Sequence, residues 1–297
     1  MKKTFFYHLL LFISNLIYAL NYSIAKLIMP EHIKPSGFIL LRVTGALVLY
    51  SISYFILVKE RIDKSDLVRF FLCGIFGIAI NQLLFFEGLS LTTPINASIV
   101  MTANPILVLV LSYFILKEKI KVRKAFGIGL GIIGSILLIT QGSTLDFSSN
   151  YQFGNLLVFI NAASYGVYLI LVQPLMRKYH PLTVMLYVFS FGFPFVGIFG
   201  FEHLIQVNWV NLNFNHYMSI VFVVFGTTFI AYLCNSVALQ KLQATTVSIY
   251  IYLQPLLASI FAIIIGSDTL DFIKITAAFL IFIGVYLVSS NKNNKKT

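Results

Sequence analysis

The side chains best able to do chemistry in this sequence are polar residues set singly into long apolar runs. They are Asn21, Gln82, Asn96, Ser98, Thr102, Asn104, Tyr165, Tyr168, Tyr232, Asn235, Tyr250 and Gln254. Ser98, Thr102 and Pro105 recur at spacings of four and three, and Tyr250 and Gln254 at four, so each set shares one helix face. Amides and phenols on such faces can hold a polar solute by hydrogen bonds without a full charge in hydrocarbon. Taken singly, each residue suits a bond to a neighbouring helix, worth about 0.6 kcal/mol. Taken as a set, they are the expected lining of a substrate path. Bond-making catalysis finds no support. His8, His32, His180, His203 and His216 are scattered, and neither a Gly-x-Ser-x-Gly nor a phosphate-binding glycine loop occurs. An enzyme is therefore not expected, nor are a cofactor, a metal centre or ATP-driven pumping by this chain alone. Cys73 and Cys234 lie in apolar runs and read as core.

Three charged residues and two prolines stand out against the same background. Arg42 falls inside an apolar run, where insertion costs roughly 2.5–3.5 kcal/mol. It calls for a partner, either a carbonyl, Glu87 or a solute. Lys26 lies close enough to a span end to snorkel into the headgroups. Glu87 follows Asn81-Gln82 at a span edge and is the candidate for ion coupling, with a solvated loop acid as the alternative. Pro105 and Pro255 each remove a backbone bond and clash with the carbonyl four residues back, those of Met101 and Ile251. In lipid such a freed carbonyl must face protein, water or a ligand.

The elements that position these residues follow from composition. Of 297 residues, 59% are hydrophobic and only 10% charged, which excludes both a soluble domain and a disordered chain. A membrane helix needs about 20 apolar residues. Ten segments qualify: 5–28, 36–58, 67–87, 93–116, 124–141, 153–173, 181–201, 215–236, 245–266 and 271–290. The formal net charge of +11 is a topology signal, with no nucleic-acid partner implied. With the N-terminus inside, seventeen Lys and Arg fall in inner segments and only Lys34 and Lys274 in outer ones. The positive-inside rule then places both termini in the cytoplasm. Lys117-Glu118-Lys119-Ile120-Lys121-Val122-Arg123-Lys124 is the densest run and suits contact with anionic membrane lipid.

The spans repeat. A shift of 150 residues lays Ser98 on Ser248, Pro105 on Pro255, Lys124 on Lys274 and Gly134 on Gly284, with Glu118 against Asp268. A shift of 146–147 lays Tyr18 on Tyr165 and Pro35 on Pro181. Five helices repeated must insert in opposite orientations when joined directly. The expected fold is an all-α integral membrane protein with ten transmembrane helices as two inverted five-helix repeats, 1–142 and 151–291. Such folds place a solute near the midplane between the halves. Gly127, Gly131 and Gly134 provide a close-packing face, suited either to a homodimer contact or to internal packing.

These residues resemble a known family. Tyr18-Ala19-Leu20-Asn21 through Lys26, Leu41-Arg42-Val43-Thr44-Gly45-Ala46, and the stretch from Leu89 through Ala97-Ser98, Asn104-Pro105 and Lys117-Glu118 to Gly134 are similar to segments of EamA-type permeases. Those permeases belong to the drug/metabolite transporter superfamily. The second half repeats the pattern from Leu239 through Gln254-Pro255 and Asp268 to Gly284. Two features depart from the family pattern: Tyr18-Ala19 stands for its Trp-Gly and Asp268 for its Glu. The resemblance implies a secondary transporter or exporter of the inner membrane. Its solute would be a small organic metabolite such as an amino acid, nucleobase or drug-like compound. A membrane enzyme acting on lipid, or a passive channel, is the competing class.

Overall fold

A computed structural model describes residues 2–58, 60–116, 122–140, 150–266 and 269–289. The described residues form ten helical rods and no strand. They are α1 (Lys2–Lys26), α2 (Pro35–Leu57), α3 (Lys64–Leu91), α4 (Pro94–Met101 and Asn104–Leu116) and α5 (Val122–Thr140). The second half contains α6 (Asn150–Lys178), α7 (Pro181–Ile205), α8 (Phe214–Leu239), α9 (Ala244–Ile249 to Leu253–Ile265) and α10 (Phe272–Ser289). Each of the ten expected spans has its helix, although α4 and α9 are interrupted. Glu118, Asp268 and Lys117 to Lys121 of the basic run lie outside the described residues.

Local sequence sets the helix starts. Pro35, Pro94 and Pro181 each occupy a first helical position, where the missing N–H costs nothing. The Thr93 hydroxyl accepts from the Asn96 amide and closes the start of α4. Outward faces stay apolar, as at Phe55, Ile198 and Phe272, all strongly exposed. In hydrocarbon such faces need no cover.

The packing has the symmetry of the repeat. Helix α1 packs on α8 and α9, and α6 packs on α3 and α4. Moving five helices along the chain exchanges those two sets. The same operation maps the α2–α7 and α5–α10 pairs onto themselves. The fold is thus two inverted five-helix repeats around a pseudo-two-fold.

The glycine face of α5 is used internally, against α10. A Cβ on Gly284 would stand 2.5 Å from the Gly127 carbonyl oxygen, and one on Gly134 would stand 2.9 Å from that of Ala277. At one end the α2–α3 loop is clasped to the α6–α7 corner. Lys178 Nζ lies 2.5 Å from Asp63 and 2.6 Å from Asp66, and the Tyr179 hydroxyl donates to Asp66 at 2.7 Å. Thr183 donates to Glu60 in the same clasp. At the other end Ser36 and His203 are hydrogen-bonded and the rings of His32 and His216 stand 4.0 Å apart. Cys73 and Cys234 are free thiols.

Candidate functional site

A cleft of about 640 Å³, counting its open mouth, lies where α1, α2, α3, α4, α6, α8 and α9 meet. Its wall residues sit within a few turns of the middle of their helices. Of the residues singled out from sequence, Asn21, Arg42, Gln82, Tyr165, Tyr232, Asn235 and Gln254 line it.

Two widened helical stretches shape the wall. Ile75–Ala79 in α3 and Phe222–Ala231 in α8 are π-helical, and the 150-residue shift superimposes them. A π turn displaces carbonyls from their usual donors, and side chains of other helices take these up. Ser164 on α6 donates to the Phe76 oxygen at 2.6 Å. Tyr50 on α2 donates to the oxygens of Thr228 and Phe229, at 3.1 and 2.8 Å. The Thr228 hydroxyl donates to Val223 and accepts from Arg42 Nε, the latter at 2.8 Å. Arg42 also lies over the Phe86 ring, 4.4 Å from its centre. Thr228 and Phe86 therefore provide the partner that the sequence demanded for Arg42. Glu87 stands elsewhere, against the Ser36 backbone N–H at the start of α2.

The helix breaks also face the cleft. Helix α4 is interrupted at Thr102 and Ala103, and α9 tightens into a 3-10 turn over Tyr250–Tyr252. Met101 and Ile251, four residues before Pro105 and Pro255, both line the cavity. The prolines themselves are buried behind them.

The polar wall divides in two. On the α1–α9 side, the Tyr22 hydroxyl donates to Gln254 Oε1 at 2.8 Å. Gln254 Nε2 donates to Asn15 Oδ1 at 2.7 Å, and Asn15 donates to the Leu11 carbonyl. Ser14 donates to Asn235, whose Nδ2 reaches the Tyr18 and Tyr165 hydroxyls at 3.3 and 3.4 Å. On the α3–α6–α8 side, Gln82 Nε2 donates to the Tyr232 hydroxyl, which donates to Asn81 Oδ1, both at 3.3 Å. Asn161 Nδ2 donates to the Asn81 carbonyl at 2.5 Å. Four buried oxygens on the wall find no partner among the described residues: Asn21 Oδ1, Gln82 Oε1, Asn161 Oδ1 and Thr227 Oγ1.

The other singled-out residues are placed away from the cleft. Ser98 and Thr102 bond back to the Ile95 and Ile99 carbonyls, and Asn96 is fully buried within α4. Asn104 donates to the Ala162 oxygen on α6 at 2.6 Å. The Tyr168 ring fills the space beside Gly77, where a Cβ would come within 2.3 Å of it. Tyr250 turns to His8 at 2.8 Å, because the 3-10 turn rotates it off the face of Gln254. Lys26 donates to the Ser90 carbonyl.

Several wall residues were not singled out from sequence. Asn15, Tyr18 and Tyr22 recur at three and four on the face of α1, a signal that was present. Asn161 stands four before Tyr165 in the same way. Thr227 carries no such signal, since only the π stretch turns it inward.

Comparison with known proteins agrees with this architecture. The model of the EamA-like transporter family matches residues 5–140 and again residues 152–290. "Uncharacterized transporter YyaM" of Bacillus subtilis is 28% identical over 239 residues, 77% of either chain. An "Uncharacterized transporter" of Archaeoglobus fulgidus is 28% identical over 77% of this chain and 78% of its own. "Protein WALLS ARE THIN 1" of Arabidopsis thaliana is 23% identical over 94% of this chain and 78% of its own. A protein crystal structure at 18% identity superposes with a TM-score of 0.66 over 95% of both chains, a likeness of fold alone.

Proposed function

The chain belongs to the EamA-like transporter family, and from this premise we propose that it moves a small organic metabolite across the inner membrane by alternating access. The cavity between the two five-helix repeats, 1–142 and 151–291, is the substrate path. One observation carries the reading: polar groups from six helices converge on a mid-helix cleft of about 640 Å³, counting its open mouth, flanked by two proline-broken helices. Broken helices let each half rock about the other, so the cleft opens to one face and then the other. Both termini are cytoplasmic, from the excess of Lys and Arg on inner loops. The chemistry is transport rather than bond-making.

The test is uptake of a labelled metabolite panel by proteoliposomes holding the purified chain, with and without a pH gradient. Saturable flux of at least one solute is expected. Flux that never saturates favours a channel, and turnover of a lipid without any flux overturns the permease reading. Glu87→Gln tests coupling at that residue: if the pH-gradient dependence is unchanged, Glu87 has no part in it. Reporter fusions at the C-terminus should be active in the cytoplasm only.

A further inference from the structure

The groups on the cavity wall sort by what they offer a solute. Arg42 is 2% exposed. Among the described residues its guanidinium makes one hydrogen bond, from Nε to Thr228, and Phe86 covers one of its faces. Neither Nη group has a hydrogen-bond partner among the described residues, Arg42 lines the cavity, and no Asp or Glu lines it. A cation buried without a counter-ion favours an anion beside it. The planar fork of two Nη groups matches a carboxylate with two parallel hydrogen bonds.

The rest of the wall offers the opposite polarity. The proton of Tyr232 goes to Asn81 Oδ1, so Tyr232 accepts from Gln82 Nε2 and the free atom of Gln82 is its oxygen. Asn161 donates through Nδ2 to the Asn81 carbonyl, so its free atom is also an oxygen. These two side chains are 2% and 1% exposed, and both oxygens are unpaired. Asn21 Oδ1 adds a third acceptor. Buried acceptors are costly to leave empty and select a solute with N–H donors.

We infer that Arg42 is the anion receptor of this cavity, that Thr228 positions it, and that Gln82, Asn161 and Asn21 receive N–H donors of the same solute. The transported class is then an organic acid that also carries N–H groups, with cations and uncharged solutes rejected. This rests on the permease reading.

The test uses proteoliposomes with the full chain and an equimolar panel, read by mass spectrometry of trapped solute against protein-free liposomes. The panel holds α-amino acids, the matching acids without the amine, the matching amines without the carboxylate, and neutral nucleobases and sugars. Amino acids should be trapped at least tenfold above the matching amines. Arg42→Gln should abolish that ratio, while Arg42→Lys keeps its direction at a lower rate. Thr228→Val should raise KM for the acids more than it lowers kcat. Gln82→Leu and Asn161→Leu should lower the ratio of amino acid to amine-free acid, a readout that survives if Arg42→Gln fails to fold. Uptake confined to amines or neutral solutes, or a ratio unchanged in monodisperse Arg42→Gln, overturns the inference and leaves the permease standing. No uptake of any class overturns both.

Discussion

Helices α4 and α9 break at matching places, yet they contribute differently to the cavity. Each carries a polar amide just before its proline, Asn104 and Gln254. Each break sets the residue four before that proline, Met101 or Ile251, against the cleft. Gln254 then reaches Asn15 on α1, side chain to side chain. Asn104 reaches Ala162 on α6, which is the repeat counterpart of Asn15 at a shift of 147. Alanine has no amide to offer, so Asn104 bonds the backbone and leaves the wall. The backbone devices are symmetric and the lining is not. The repeat therefore builds the scaffold, and a few side-chain differences on α1, α6, α4 and α9 decide which half lines the cavity.

That contrast can be broken by experiment. The largest expected effect is at Gln254. Gln254→Leu unties Tyr22 and Asn15 at once, and initial transport rates per inserted protein should fall at least about tenfold, about 1.4 kcal/mol of barrier. The same change at Asn104 should leave rates within about threefold, under about 0.7 kcal/mol. Equal losses would show that the two sides share the wall after all.

Next come the prolines, where symmetry predicts sameness. Pro105→Ala and Pro255→Ala each restore a donor opposite a freed carbonyl. Both should slow transport severalfold and by similar factors, with unchanged yield in the membrane. A strong effect at one and none at the other would place the moving hinge in a single repeat.

The cost of Asn104→Leu should appear in stability instead. It orphans the Ala162 carbonyl bond, worth about 0.6 to 1.7 kcal/mol by the range for interhelical bonds in membranes. Denaturation in detergent of the variant beside the parent chain reads this directly. The smallest effect is expected at Tyr250, which the 3-10 turn aims at His8 rather than the cleft. Tyr250→Phe should leave transport rates within about twofold, under about 0.4 kcal/mol; a larger loss would return this residue to the path.

How far the sequence foretold these regions depends on the kind of physics involved. Ten spans were legible because hydropathy and length alone define a membrane helix. The breaks were half legible. Pro105 and Pro255 mark them, but the tight turn at Tyr250 is a backbone choice that no spacing announces. The face argument grouped Ser98 and Thr102 with the cavity. Their hydroxyls instead bond back to their own helix, a local competition open to any mid-helix Ser or Thr. The π stretches in α3 and α8 were not legible, since widened and regular turns have the same hydropathy. They decide where Thr227 and Thr228 point. The partnership of Arg42 with Thr228 spans 186 residues, so only the folded chain could supply it.

The central claim is that two unequal repeats share one path that opens to each face in turn. Met101→Cys, in a chain with Cys73→Ala and Cys234→Ala, places a lone thiol on the cavity wall. In oriented membrane vesicles, a membrane-impermeant thiol reagent should label it from either face, and a transported solute should slow labelling from both. Labelling from one face only, with or without solute, would contradict the account.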